Sequence, residues 1–97
     1  MKKLSILITG GTGSFGKRFI SHLIKKYKHK LKRLVVFSRD ELKQYELQKK
    51  YPISKYNFMR YFIGDVRDKT RLEMALNEID IIIHAAALKQ VDTAEYN

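Results

Sequence analysis

A short apolar run followed at once by closely spaced glycines constrains the fold of this chain more than any other feature. The run 4–8 stops at Thr9, and glycines stand at positions 10, 11, 13 and 16. The spacing Gly10-x-x-Gly13-x-x-Gly16 permits a tight turn, a close approach of the backbone to a pyrophosphate, and close packing of the next helix. A plain glycine-rich turn is the alternative. The setting between an apolar strand and an amphipathic stretch favours a phosphate-binding turn.

Length and composition limit the remaining possibilities. With 97 residues the chain forms at most one small domain, and a complete doubly wound dinucleotide fold needs more strands than it can hold. The absence of cysteine excludes a disulfide scaffold, a thiolate metal site and a cysteine nucleophile. The first apolar run is too short for a cleavable signal, and no stretch approaches the roughly 20 apolar residues of a membrane helix. The sequence therefore predicts a soluble, cytoplasmic protein with no membrane partner.

The formal net charge of +10 raises the possibility of nucleic-acid binding, and the basic segment 25–33 is its strongest support. The alternative is a solvated helix end and loop, where cations also suit the helix dipole. We favour this second interpretation and expect no nucleic-acid partner. His22 and His29 lack an acidic or histidine partner at ligand spacing, so no metal site is predicted.

Hydrophobic periodicity divides the chain into alternating strands and helices. The predicted strands are 4–8, 34–37, 57–63 and 80–84. The predicted helices are 14–28, 41–50 and a third marked by Leu72, Ala75, Leu76 and Ile79. The order βαβαβαβ implies right-handed crossovers and a parallel sheet, so we expect an α/β, Rossmann-like fold.

Ligands bind beyond the carboxyl ends of the strands in such a sheet, where the segments 9–16, 38–43, 64–66 and 85–89 converge. After the second strand, an acidic residue would accept a hydrogen bond from a ribose 2′-hydroxyl, whereas an arginine would bind a 2′-phosphate. Here Arg39 precedes Asp40, and Ser38 and Lys43 add donors. Among these residues, the cationic and hydrogen-bond-donating side chains therefore outweigh the single acidic one, which favours NADP over NAD. A surface salt bridge is the alternative role for Arg39.

The ends of the third and fourth strands offer further candidate residues. Asp65 and Val66 could hold an adenine by a hydrogen bond and an apolar contact, while Asp65 could also form a turn and cap the next helix. The alanines 85–87 allow a close backbone approach to a cofactor, although alanines also simply pack. Lys89 could contact a phosphate. His84 is interpreted as a hydrogen-bonded core residue rather than an acid-base group.

The chain contains two Tyr-x-x-x-Lys spacings, a pattern typical of proton transfer in dinucleotide-binding proteins with this kind of fold. The first, Tyr45 with Lys49, lies on the helix after the second strand, away from the reacting end of a cofactor. The second, Tyr51 with Lys55, is interrupted by Pro52. We therefore assign no catalytic residue within the chain.

Four blocks of the sequence resemble the inverting UDP-N-acetylglucosamine 4,6-dehydratases, which are extended short-chain dehydrogenases/reductases. The blocks are Gly10–Lys17, Ser38–Gln44, Arg60–Asp68 and His84–Val91. The resemblance covers nearly the whole chain, with Asp92 as a departure where many members are expected to have proline. It implies that residues 1–97 are a partial NAD(P)-binding domain.

The resemblance also implies an NADP-dependent lyase that acts on UDP-N-acetylglucosamine or a similar UDP-sugar in surface-polysaccharide or glycan-precursor synthesis. In the family's reaction the cofactor takes a hydride from C4, which acidifies the C5 proton. Water is then lost across C5 and C6, the hydride returns to C6, and C5 is reprotonated with inversion. A related epimerase or retaining dehydratase is the nearest alternative. A stand-alone nucleotide-binding module or a basic nucleic-acid-binding module is the alternative from another class.

The glycine motif, the strand ends and the family's cofactor contacts carried onto this sequence together define the candidate cofactor-binding residues. They are Gly10, Thr12, Gly13, Ser14, Phe15, Gly16, Ser38, Arg39, Asp40, Glu41, Leu42, Lys43, Asp65, Val66, Ala85, Ala86 and Lys89. Lys89 would also approach the substrate. The family's catalytic aspartate-lysine pair and its Tyr-x-x-x-Lys lie past Asn97, so we expect the chain alone to be inactive. We also expect a homo-oligomer, since the fourth strand would present an unpaired edge.

Overall fold

The fold is built on a parallel four-stranded sheet in which the apolar run before the glycines is an inner strand. The structure is a computed structural model, and it describes residues 2–85. The strands are β1 (Leu4–Thr9), β2 (Leu31–Ser38), β3 (Met59–Ile63) and β4 (Ile81–His84), in the order β3-β2-β1-β4. The helices are α1 (Ser14–Tyr27), α2 (Glu41–Lys50) and α3 (Lys69–Ala75), with a short 3₁₀ turn at Lys28–Lys30. The predicted α/β, Rossmann-like class is confirmed.

The strand order reverses beside β1, because the chain moves to one side through β2 and β3 and then crosses back to β4. All pairings are parallel. A reversal of this kind opens a crevice at the carboxyl ends of the inner strands, where a ligand can enter between two crossover connections. The glycine turn follows β1 and therefore lies at that point.

β2 and β3 begin at other positions than their apolar runs predict. β2 begins at Leu31 rather than at residue 34, because Leu31 is buried and pairs with Leu4. The two basic residues that follow Leu31 interrupt the apolar pattern and hide this start from sequence analysis. β3 begins at Met59 rather than at residue 57, because the Met59 N–H closes a turn onto the Tyr56 carbonyl at 2.9 Å.

The connection from α3 to β4 also differs from the prediction. α3 ends at Ala75, and Ile79 lies beyond it, because the chain leaves helical geometry through Glu78, whose φ is 59°. β4 begins after Asp80 instead of including it. The Asp80 carboxylate accepts a hydrogen bond from the Ser5 N–H at 2.8 Å, so this residue ties the connection to the start of β1.

Helices cover both faces of the sheet. Successive residues of a strand point to opposite faces. α1 and α2 cover one face, where the core includes Ile6, Ile8, Ile20, Leu34, Val36 and Leu47. α3 covers the other face, where the core consists of Leu7, Val35, Phe37 and Ala75. This two-sided packing holds the carboxyl ends of β1, β2 and β3 at one edge of the molecule.

Candidate cofactor site

A cleft of about 320 Å³ lies at the carboxyl ends of β1, β2 and β3. Its lining includes several predicted cofactor-binding residues, namely Gly10, Thr12, Ser38, Arg39, Asp40, Asp65 and Val66. It also includes Thr9, Phe37 and Gly64, which sequence reasoning did not select. A larger cleft of about 390 Å³ lies along β3, and no predicted cofactor-binding residue lines it. The structure therefore brings three of the four predicted segments together at one site.

The glycines of the turn after β1 differ in what they do. Gly10 has a φ of 71°, a conformation that favours glycine, and its carbonyl accepts a hydrogen bond from the Gly13 N–H at 3.2 Å. A Cβ at Gly16 would lie 2.5 Å from the Gly11 Cα and would also strike the Gly10 carbonyl, so the helix and the turn touch backbone to backbone. A Cβ at Gly13 would make only an ordinary contact of 3.5 Å with Gly10 O. Gly13 therefore presents an open backbone surface.

The amino end of α1 has features expected of an anion-binding helix start. The N-cap residue is Gly13, which makes no side-chain cap, and the first turn contains no acidic residue. The first N–H groups of a helix have no intrahelical acceptor and carry the positive end of the helix dipole. Ser14 and Gly16 contribute backbone to this turn. Phe15 stacks against Phe19 with ring centroids 6.4 Å apart, outside the cleft.

The polar residues after β2 have two roles: some line the cleft, and others begin helix α2. Arg39 lines the cleft, with its side chain 70% exposed. Asp40 lies beside it, but its carboxylate accepts a hydrogen bond from the Lys43 N–H at 3.0 Å and so caps α2. The remaining predicted residues here, Glu41, Leu42 and Lys43, are exposed on the first turn of α2 and do not line the cleft.

Asp40→Ala is expected to lower the free energy of unfolding by about 1 kcal/mol, because α2 loses its N-cap. Asp40→Ser keeps an oxygen acceptor at the cap while removing the charge, and it should retain most of the stability. Urea unfolding followed by circular dichroism measures both variants. Equal stability of the alanine and wild-type chains would show that the cap contributes nothing.

Asp65 binds two arginines with its carboxylate. Arg67 donates from Nη2 to Oδ2 at 2.8 Å and from its backbone N–H to Oδ1 at 2.9 Å, and Arg39 Nη1 lies 3.5 Å from Oδ2. The hydrogen bonds from the Arg67 side chain, followed by that from its backbone, hold the pKa of the Asp65 carboxyl well below its usual range. The predicted turn-forming role is confirmed, but the predicted cap is wrong. Asp68 caps α3 instead, through the Arg71 N–H at 3.1 Å.

Arg39 therefore makes the surface salt bridge that was the alternative to phosphate binding. The contact is long and the guanidinium is largely exposed, and such pairs contribute little to stability. The two roles are compatible, because the exposed guanidinium can still bind an anion in the cleft. The salt bridge places the Arg39 guanidinium beside Asp65, which also lines the cleft.

The residues at the end of β4 match the predictions only in part. His84 Nδ1 lies 2.9 Å from the Thr9 hydroxyl, as expected of a hydrogen-bonded residue. It is exposed, however, so the prediction of a core position is wrong, because β4 is the last strand of the described sheet. Ala85 is buried in the core beneath α1, and is not among the residues lining the cleft. Ala86 and Lys89 lie outside the described residues.

Gln44 lies behind the cleft lining and is a further residue that sequence reasoning did not select. It is fully buried on α2, and its Nε2 lies 3.0 Å from Phe62 O, 3.1 Å from Ser38 Oγ and 3.2 Å from Val36 O. Its Oε1 has no hydrogen-bond partner within residues 2–85. An unsatisfied buried acceptor costs about 1–3 kcal/mol. A usable signal was its position three residues before buried Leu47, which places both on one face of α2.

Metal-ligand clusters and membrane-spanning helices can be searched for only within residues 2–85. Within that range no three acidic or histidine side chains come together as metal ligands would. None of the helices in the same range has the length and apolar character needed to cross a bilayer.

Comparison with known proteins identifies relatives over nearly the whole chain. The model of the polysaccharide biosynthesis protein family matches residues 6–97. The UDP-N-acetylglucosamine 4,6-dehydratase (inverting) of Campylobacter jejuni is 55% identical over 93 residues, which is 96% of this chain and 26% of that protein. The UDP-glucose 4-epimerase of Rickettsia bellii is 42% identical over 93 residues, 95% of this chain and 26% of that protein. The chain thus spans about a quarter of the length of these relatives.

Solved structures show the same fold. Pen from Bacillus thuringiensis is 37% identical, with a TM-score of 0.73 over 86% of this chain and 24% of that chain. The dTDP-glucose 4,6-dehydratase of Bacillus anthracis, solved in complex with NAD, is 20% identical, with a TM-score of 0.64 over 84% of this chain and 26% of that chain. The resemblance to inverting UDP-N-acetylglucosamine 4,6-dehydratases is confirmed for the part of the protein that this chain spans. On the family match over residues 6–97, the chain belongs to the polysaccharide biosynthesis protein family.

Proposed function

We propose that this chain is the NADP-binding part of a nucleotide-sugar dehydratase that acts on UDP-N-acetylglucosamine or a similar UDP-sugar. The observation that carries the proposal is the 55% sequence identity to the Campylobacter dehydratase, which extends over 96% of this chain. The cleft at the carboxyl ends of the strands supports it. In the complete protein, the product would enter the synthesis of surface polysaccharide or another glycan.

The residues around the cleft fit a dinucleotide. The uncapped first turn of α1 offers backbone N–H groups to a pyrophosphate, and Gly13 at its start places no side chain in the approach. Val66 provides an apolar surface and Asp65 a carboxylate at the end of β3, where an adenine would lie. A bound nicotinamide cofactor would supply reversible hydride transfer. The chain's own contribution is to bind and orient it.

Arg39 and its neighbours support NADP rather than NAD. The Arg39 guanidinium is exposed to the cleft, and Ser38 contributes a hydroxyl beside it. Asp40, which would favour NAD by accepting from a ribose 2′-hydroxyl, is used as the N-cap of α2. An exposed guanidinium at the cleft favours the charged 2′-phosphate, to which it can bind more strongly than to a neutral ribose hydroxyl.

Calorimetric titration of the 97-residue chain tests this proposal. NADP is expected to bind at least about tenfold more tightly than NAD, a difference of roughly 1.4 kcal/mol. Equal affinities would overturn the preference for NADP, and no binding of either would overturn the proposed function of the chain. Incubation with NADP and UDP-N-acetylglucosamine should yield no 4-keto-6-deoxy sugar. Detection of that product would contradict the proposal that the chain alone is inactive.

A nucleotide-sugar epimerase is the second candidate, because the Rickettsia relative is a UDP-glucose 4-epimerase. Mass spectrometry of the products formed by the full-length protein separates the two reactions. A dehydratase converts UDP-N-acetylglucosamine to a product lighter by one water. An epimerase gives an isomer of unchanged mass. Cytoplasmic location, a homo-oligomeric state and the absence of a nucleic-acid partner stay predictions.

A further inference from the structure

Gln44 lies in the second turn of α2, where it joins the carboxyl ends of β2 and β3 behind the cleft. Its Nε2 contacts two main-chain carbonyls, Val36 O and Phe62 O, as well as the Ser38 hydroxyl. Carbonyl oxygens only accept hydrogen bonds, so the atom that faces them must be the amide nitrogen and not the amide oxygen. The amide nitrogen donates and does not accept, so Ser38 Oγ is the acceptor in its contact with Gln44, and the two amide protons are shared among the three oxygens.

This direction determines what the Ser38 hydroxyl can do. A serine hydroxyl has one proton to donate, and accepting from Gln44 leaves that proton for another partner. Within residues 2–85, no acceptor is found for it, and Ser38 lines the cleft next to Arg39. Gln44 therefore presents Ser38 to the cleft as a hydrogen-bond donor.

A fixed donor beside a guanidinium distinguishes two ribose substituents. A ribose 2′-hydroxyl both donates and accepts, so it can adapt to either kind of neighbour. A 2′-phosphate offers only acceptor oxygens when ionised, and hydrogen bonds to charged groups are the stronger ones. Resting on the proposed NADP-binding function, we propose that Gln44 is a positioning residue that orients the Ser38 hydroxyl toward the 2′-phosphate of the nucleotide.

The experiment measures selectivity for the 2′-phosphate with two small probes, adenosine 2′,5′-bisphosphate and 5′-AMP, by calorimetry on the 97-residue chain. Gln44→Met has a similar length and no donor. It should reduce the preference for the bisphosphate about fivefold and leave the affinity for 5′-AMP within about twofold. Ser38→Ala should have the same effect, and adding Gln44→Met to it should change the preference no further. The matched control is Gln48→Met, an exposed glutamine one turn along α2, which should change neither affinity.

The outcomes separate the inference from the function on which it rests. A wild-type chain that binds both probes equally overturns the proposed preference for NADP and this inference with it. A wild-type chain that prefers the bisphosphate, together with a Gln44→Met variant that keeps the preference or loses affinity for both probes equally, overturns the inference alone. If Gln44→Met fails to fold, NMR of the Gln44 side-chain amide in the wild-type chain tests the inference instead. Its proton resonances should shift on binding the bisphosphate but not 5′-AMP, and no difference between the probes overturns the inference.

Discussion

Gly16→Ala is expected to lower the free energy of unfolding by about 3 kcal/mol or more. The added Cβ would lie 2.5 Å from the Gly11 Cα and 2.8 Å from its carbonyl carbon. These are backbone atoms of the turn that enters α1, so no side-chain rotation can relieve the overlap. Either the helix moves away from the turn or the turn opens, and each also separates the residues of the cleft. Urea unfolding followed by circular dichroism measures the change.

Gly13→Ala is the matched control, since it adds the same methyl group three residues earlier in the same motif. Its Cβ would meet only Gly10 O, at 3.5 Å, and the φ of −76° is one that alanine adopts readily. The change in stability should stay within about 1 kcal/mol. Dinucleotide affinity should fall instead, because the methyl group covers the backbone that a pyrophosphate would approach. Equal stability losses in the two variants would contradict this division of roles.

Arg39→Ala is expected to weaken NADP binding by about 10- to 100-fold while changing NAD affinity by less than about threefold. Within residues 2–85, Arg39 is the one cationic residue that lines the cleft, and the 2′-phosphate that it is proposed to bind is present only in NADP. Calorimetric titration of both nucleotides measures the ratio. The wild-type preference should also shrink at high salt, because an exposed charge pair is screened.

Arg67→Ala provides the control for this second prediction. Arg67 and Arg39 both contact the Asp65 carboxylate and are similarly exposed, at 79% and 70% of their side chains. Only Arg39 is among the residues that line the cleft. Arg67→Ala should therefore leave NADP affinity within about threefold of wild type. A comparable loss in both variants would show that the effect acts through Asp65 rather than through a phosphate.

The parts of the fold that sequence analysis predicted correctly are those with a local cause. The glycine turn and the alternation of strands and helices each depend on residues within a few positions of one another. Of the three strand starts that differ from the prediction, those of β2 and β4 have a cause that is distant in sequence. Leu31 belongs to β2 since it pairs with Leu4, and the Asp80 side chain is bound by the backbone of Ser5.

The site divides in the same way. The sequence by itself determined that a glycine turn follows the first strand, and that Arg39 follows the second, because hydrophobic periodicity and glycine spacing encode these features locally. Only the tertiary structure decided that Asp65 binds two arginines and that Gln44 joins two strand ends behind Ser38. These groups are brought together by the parallel pairing of β2 with β3. The physical reason is that hydrogen bonds and ion pairs between strand ends depend on register and crossover direction, which no local pattern of residues specifies.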